Sequence, residues 1–336
     1  MVKRLCLCAA AVLALSFLLP AFMPKNLAGH IPEKQQAVRL ASEARAIIGP
    51  DLLGVEYSET TTTVGHRDAK MLSAAPDFPA LLVQWLHDAG IGENDAVAIN
   101  ASGSFPTLTI ASLAAVEAVG ARPLLISSLG SSSWGANRPE YTWAHMEKRL
   151  STWRPGWKSL AMSLGGGDDI ALEMLEEGRK SLLEALHHAE VPHLTPATER
   201  EIMENRMHIW KDANNGELPA LLVNIGGNHA FWGTRDRTFL RKEGLLLPPD
   251  GSRGDGVGAL FSQAGKPVIH LLGIKNIAAY YAITLPPTDT SPLWVTPDAS
   301  RISRILTFGV LMILLLVLPL FINKGKGGKL QQRPSL

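Results

Sequence analysis

Apolar and polar positions along this chain alternate in two rhythms. Short apolar runs of strand length recur at residues 95–100, 123–127, 158–164, 219–225 and 267–272, and each gives way to a cluster of Gly, Ser or Asn. Longer stretches lie between them, with apolar residues three or four apart or rich throughout in Ala, Leu and Val. Residues 107–119, 141–153, 170–188 and 198–212 read as helices on this spacing. Two more, 31–48 (closed by Gly49-Pro50) and 79–89, precede the first strand, and a short helix running to Ile283 follows the last. Strands alternating with helices predict an α/β domain with a doubly wound, mostly parallel sheet of about five strands and right-handed crossovers. Residues 53–64, with the polar β-branched run Thr60 to Thr63, are either an edge strand or a surface loop. Residues 244–258 are a loop by composition, and 286–298 a Pro-rich connector.

Two further apolar stretches fit neither rhythm. Residues 5–23 and 305–322 are uninterrupted and close to the roughly 20 residues that cross a bilayer. Lys3 and Arg4 precede the first; Lys324, Lys326 and Lys329 follow the second. Positive flanks stay inside, so the expected order is a cytoplasmic start at 1–4 and a transmembrane helix or signal anchor at 5–23. An extracytoplasmic α/β domain at 24–300, a transmembrane helix at 305–322 and a basic cytoplasmic tail at 323–336 follow. The small-x-small pattern of a cleavage site is poor, with Leu27-Ala28-Gly29 the nearest approach, which favours an anchor over a cleaved signal. The expectation is a protein of the plasma (inner) membrane of a bacterium, both termini cytoplasmic.

Composition narrows the chemistry. A formal net charge of +1 over 336 residues gives no case for nucleic acid as a partner. The two cysteines, Cys6 and Cys8, both fall in the first apolar stretch. The remaining chain therefore offers no disulfide, zinc-thiolate site or cysteine nucleophile.

The loops after the five strands share a character: Asn100-Ala-Ser-Gly-Ser, Ser127-Ser-Leu-Gly-Ser, Gly165-Gly-Gly-Asp-Asp, Asn224-Ile-Gly-Gly-Asn-His and Gly273-Ile-Lys-Asn. In a parallel sheet such loops meet on one edge. Glycine lets backbone approach a ligand, and Asn, Ser and helix N–H groups bind oxygen anions. Asn100, Ser102, Gly103, Ser104, Ser127, Ser128, Gly226, Gly227 and Asn228 are the candidate ligand-binding residues; the competing reading is ordinary turns and helix caps. Ser104 is a natural helix cap before Phe105-Pro106. As a nucleophile it would need His229 and Asp168, which stand in loops on the same expected edge, but the G-x-S-x-G elbow is absent. Asp168, Asp169 and His229 could supply metal ligands, but without a recognised spacing. Gly165-Gly166-Gly167 lacks both the P-loop lysine and the dinucleotide-binding spacing. No metal or cofactor is assigned.

A Thr-rich segment at 58–63 with Gly65 and Lys70 after it, then VAINASGSFPTLTIA and the Asn224-Ile-Gly-Gly-Asn-His loop, resembles the poly-gamma-glutamate system protein family. The resemblance implies a bacterial accessory protein of poly-γ-glutamate synthesis or export. Its partners would be the membrane, subunits of the synthase complex and the anionic polymer. It implies no catalytic residues. Each unit of that polymer carries a free α-carboxylate, which Gly, Ser and Asn loops suit without a basic surface. The alternative is a Ser- or metal-dependent hydrolase acting on the polymer or another cell-envelope substrate. A structural envelope protein with no small ligand is a third.

Overall fold

Strands that are apolar on both faces have to be covered on both, and the helices between them are placed to do so. The structure, a computed structural model, describes residues 29–49, 52–234, 242–248, 253–281 and 283. In chain order these form α1 (Ile31–Ile48), β1 (Thr61–Thr63), α2 (Arg67–Ser73), α3 (Asp77–Asp88), β2 (Ala96–Ser102), α4 (Pro106–Ala118) and β3 (Arg122–Ser128). Next come β4 (Ser131–Ser132), β5 (Asn137–Arg138), β6 (Tyr141–Thr142), α5 (Trp143–Trp153), a 3-10 turn (Pro155–Trp157), β7 (Ala161–Ser163), α6 (Glu176–Ala189) and α7 (Glu199–Asp212). The chain continues through β8 (Leu221–Ile225), α8 (His229–Trp232), β9 (Gly244–Leu246), α9 (Val257–Gln263), β10 (Val268–Leu271) and α10 (Ile274–Tyr280).

Six strands make the central sheet, in the order β7-β3-β2-β8-β10-β9. All neighbours are parallel except β9, which closes one edge antiparallel to β10. The architecture is therefore α/β with a mostly parallel sheet and ten α-helices among the described residues. The extra strand beyond the five expected is β9, inside the segment whose Gly and Pro content reads as loop. Three residues ahead of Pro248 suffice on an edge, where a proline costs no ladder bond.

Register decides what each face meets. Leu124, Ala98, Leu222 and Val268 lie side by side across four strands. They share a core with Ile202, Met203 and Trp210 of α7 and Phe261 of α9. Val97, Ile99, Leu125 and Val223 point to the other face, where α4 packs on β2, β3 and β8. α4 is apolar all round because it is buried all round: α1 and α3 cover its outer side, and only Glu117 escapes burial.

Two residues further along, the α7 face turns polar, with Asn100, Asn224 and His270 in register on β2, β8 and β10. Beneath them the fully buried Arg206 grips Asp169 with both terminal nitrogens, at 2.7 and 3.0 Å, and donates from Nε to Asn100 Oδ1 at 3.1 Å. Asn100 in turn donates to Asn224 Oδ1 (2.7 Å), and Asn224 to the Gly226 carbonyl (2.7 Å). Ser163 donates to Asp169 at 2.7 Å. One connected network thus ties the ends of β2, β7 and β8 together.

Two expectations are corrected here. The helix expected over 170–188 begins only at Glu176. Asp168 accepts from the N–H groups of Ile170 and Leu172 (both 3.0 Å), Ala171 takes a positive φ of 57°, and Leu172 and Leu175 are exposed. A side-chain-capped turn has replaced the first helical turns. The expectation of a membrane protein with flanking transmembrane helices, set in the inner membrane, is also corrected. No helix among the described residues is long and apolar enough to cross a membrane. The stretches 5–23 and 305–322, on which that expectation rested, lie outside the described residues, as does the 286–298 connector. Neither the membrane placement nor the inside–outside order is carried further.

The network makes a stability prediction. Asp169→Ala strands a fully buried guanidinium without its carboxylate, so it should cost about 3–5 kcal/mol in urea unfolding. The double variant Arg206→Met/Asp169→Leu should recover most of that loss. A single-variant cost below about 1 kcal/mol would show that the charge finds water.

Candidate functional site

From β2 the chain moves outward through β3 to β7, then returns across β2 to β8 and β10 on the other side. The connections leaving β2 and β8 therefore diverge, which opens a crevice at their carboxyl ends. Gly226 shows how closely these two ends approach. Its φ is +81°, and a Cβ there would lie 2.7 Å from Ser102 Oγ. Loops after β2, β3, β7 and β8 all contribute to a cleft of about 440 Å³, with Leu272 from the end of β10 and a side wall from residues 62–70.

That wall is made by elements too short to announce themselves. β1 pairs in parallel with β4, placing Thr63 opposite Ser132, and the two-turn α2 follows. Lys70 of α2 is buried and extends under Ser104. Its Nζ donates to the Ser104 carbonyl, lies 2.8 Å from Ser132 Oγ, and sits 3.6 Å from the centre of the Phe105 ring. No carboxylate pairs with it among the described residues, and burial pushes its pKa from 10.5 down to about 7. Ser132 donates its backbone N–H to Ser104 Oγ at 3.0 Å. Lys70 and Ser132 are functional candidates that residue types alone did not single out; the signal available was Lys70's place after the Thr-rich segment at 58–63.

Three residues that line the cleft carry a buried side-chain donor with no hydrogen-bond partner among the described residues: Ser102 Oγ, Asn228 Nδ2 and Trp232 Nε1. Asn228 is oriented by its other end. Its Oδ1 caps α8 by accepting from Phe231 N–H at 2.9 Å, and accepts weakly from Asn100 at 3.4 Å. Glu173 is the only carboxylate among the described lining residues, and it accepts from Gly167 N–H at 2.7 Å.

The candidates read from the sequence divide. Ser102, Ser104, Ser128, Gly226, Gly227, Asn228 and His229 line the cleft. Asn100 does not: it is wholly buried within the Arg206 network. Ser127 is equally buried and bonded to Ser159 Oγ at 2.8 Å, and Gly103 packs against the Leu129 carbonyl. Asp168 is occupied in its own turn, and no hydrogen bond joins Ser104 to His229 or to Asp168 among the described residues. His229 instead has Glu199 3.9 Å from its Nδ1. The Ser104–His229–Asp168 arrangement is thus not assembled, and Asp169 is committed to Arg206 rather than to a metal. One group of potential metal ligands stands outside the cleft: His30, Glu33 and His87, with ligand atoms within 4.8 Å of one another. The two imidazoles stack at 3.5 Å and 11°, so their ring planes run side by side rather than converging on one centre.

Lys70 gives a test with a definite sign. Between about pH 7 and 10.5 the unfolded chain holds a proton on this amine that the folded protein has released. Stability of the wild type relative to Lys70→Met should therefore be lowest and level below about pH 7. It should climb by up to about 1.4 kcal/mol per pH unit above it. Urea unfolding of both proteins at about pH 6 and about pH 9 measures this; an unchanged difference would mean that the amine stays charged where it is.

No protein-family model matches the chain, and neither a curated protein nor a solved structure does, so the resemblance to the poly-gamma-glutamate system proteins remains an expectation drawn from its motifs.

Proposed function

We propose that the cleft binds a chain-like ligand through its oxygen acceptors, and that the ligand bears carboxylates. One observation carries this reading: three buried donors without partners, Ser102 Oγ, Asn228 Nδ2 and Trp232 Nε1, belong to residues lining the same cleft. Leaving such a group unsatisfied costs about 1–3 kcal/mol, and folded proteins rarely accept that cost without a reason. An amide NH₂ and an indole N–H can only donate, and a serine hydroxyl can. The complementary partner is therefore rich in acceptors. A carboxylate or an amide carbonyl meets that requirement.

The family resemblance supplies one polymer of this chemistry. Poly-γ-glutamate repeats an amide carbonyl and a free α-carboxylate in every unit. On this reading the protein is an accessory factor of poly-γ-glutamate synthesis or export that holds the polymer, with subunits of the synthase complex as its protein partners.

Calorimetric titration of the full chain with γ-linked oligoglutamate tests it, with an α-linked oligomer and a side-chain-amidated oligomer as comparisons. The γ-linked acid should bind best. Ser102→Ala and Trp232→Phe remove donors that the free protein does not use; Ser102→Ala should leave the unfolding midpoint unchanged or slightly raised, and Trp232→Phe should lower it modestly through lost packing. Each should also weaken binding about five- to twentyfold, or about 1–1.8 kcal/mol. Wild-type affinity in both variants would falsify the assignment of these donors to the ligand.

A further inference from the structure

Ligand binding through those donors leaves one feature of the cleft unused. On its side wall an amine and a hydroxyl stand 2.8 Å apart, Lys70 Nζ and Ser132 Oγ, and both residues line the cleft. We propose that they form a serine–lysine pair that makes the cleft an acyl-transfer site, with Ser132 as nucleophile and Lys70 as its general base, acting on an amide or ester carbonyl. The proposal rests on the cleft being a ligand site, but not on which donors hold the ligand.

The geometry admits a base. Lys70 Nζ has three neighbours: the Ser104 carbonyl, the Ser132 hydroxyl and the face of Phe105. A neutral amine can donate to the carbonyl and offer its lone pair to the Ser132 proton. No neighbouring charge contributes to its shift. His66, Arg67 and Asp68 belong to the same turn of chain, and Arg67 lies over Trp134. Lys275 of the packed α10 is exposed, Glu117 of α4 is taken by Trp157 and Arg154, and across the cleft stand Glu173 and His229. None of these shifts Lys70; burial is the sole cause of its lowered pKa of about 7, close to the pH at which a general base works best. Ser132 is positioned independently by the β1–β4 pairing and by its N–H bond to Ser104 Oγ.

The steps balance with water as the co-reactant. Ser132 Oγ attacks the carbonyl carbon, forming a C–O bond while its proton passes to Lys70. Collapse of the tetrahedral adduct breaks the C–N (or C–O) bond, and the Lys70 ammonium returns that proton to the leaving amine or alcohol. Water then attacks the acyl-serine, Lys70 takes a proton from it, and Ser132 Oγ departs with that proton as the carboxylic acid is released. Phe105 helps at the charged stages, because its ring face attracts an ammonium more than an amine.

The bland alternative is a tie: Lys70 merely fastens α2 to the loop after β2. Labelling of the full chain with a fluorophosphonate probe, followed by peptide mapping, separates the two. The proposal expects one adduct, on Ser132. Its rate should rise about tenfold per pH unit below about pH 7 and level off above it. Ser132→Ala should abolish the adduct. Lys70→Arg keeps the donors but cannot act as a base; labelling of its folded fraction should slow at least about a hundredfold. No adduct in the wild type, an adduct on another serine, or Lys70→Arg labelling at the wild-type rate would overturn the proposal. If Lys70→Arg fails to fold, the wild-type pH profile decides, and a flat profile through pH 7 overturns it. Binding of γ-linked oligoglutamate without an adduct removes only the acyl-transfer step. An adduct without such binding removes only the polymer reading.

Discussion

A guanidinium buried from solvent has to be paired, and Arg206 is the point on which this fold turns. Its side chain is completely buried, so a carboxylate and further acceptors must come to it. Asp169 arrives from the loop after β7, Asn100 from β2, and through Asn100 the contact reaches Asn224 and Gly226 after β8. A well-packed apolar cluster could equal such a network in net stability. What apolar packing would not do is fix three strand ends relative to one another with directional bonds. Those ends are the floor of the cleft, so its shape is set before any ligand enters, and ordering them is no part of the cost of binding.

Lys70 is the contrary case on the opposite side of the same cleft. It too is buried, but no carboxylate was brought to it among the described residues, and burial lowers its pKa to about 7. Arginine in that position would demand a counterion; lysine can answer burial by giving up its proton. Together Arg206 and Lys70 divide the site into a fixed floor and a titratable wall. Ser102, Asn228 and Trp232 stand along it with donors unused by the fold.

How much of this was legible in sequence depended on whether an element is stabilised by its own pattern or by its neighbours. The five parallel strands carry uninterrupted apolar runs, and α1 has the bounds its spacing gives, because burial on a sheet or helix face writes directly into hydrophobicity. α2, β4 and β9 are two to seven residues long and exist because something pairs with or packs on them. Asn100 and Ser127 were attractive ligand residues by type. Only the register shows that Asn100 faces α7 with Ala98 and meets Arg206. Asp168 and Asp169 look interchangeable in sequence, yet one caps a turn and the other neutralises a buried arginine. In the run Ser131-Ser132-Ser133, nothing but the β1 pairing tells which hydroxyl meets Lys70.

The charge state of Lys70 also constrains where a carboxylate can go. An anion beside this amine would favour the ammonium, and an ammonium has no lone pair to take the Ser132 proton. A ligand that is both carboxylate-bearing and reactive must therefore keep its carboxylates on the Ser102, Asn228 and Trp232 side and present a neutral carbonyl to Ser132. A γ-linked glutamate chain has both groups in each unit, and the amide is its neutral member. Cleavage of that amide creates a new carboxylate at the acyl carbon, next to Lys70, and so restores the charged amine. The product of the reaction would switch off the base that made it until it leaves, which makes release of the acid the step that returns the cleft to its reactive form.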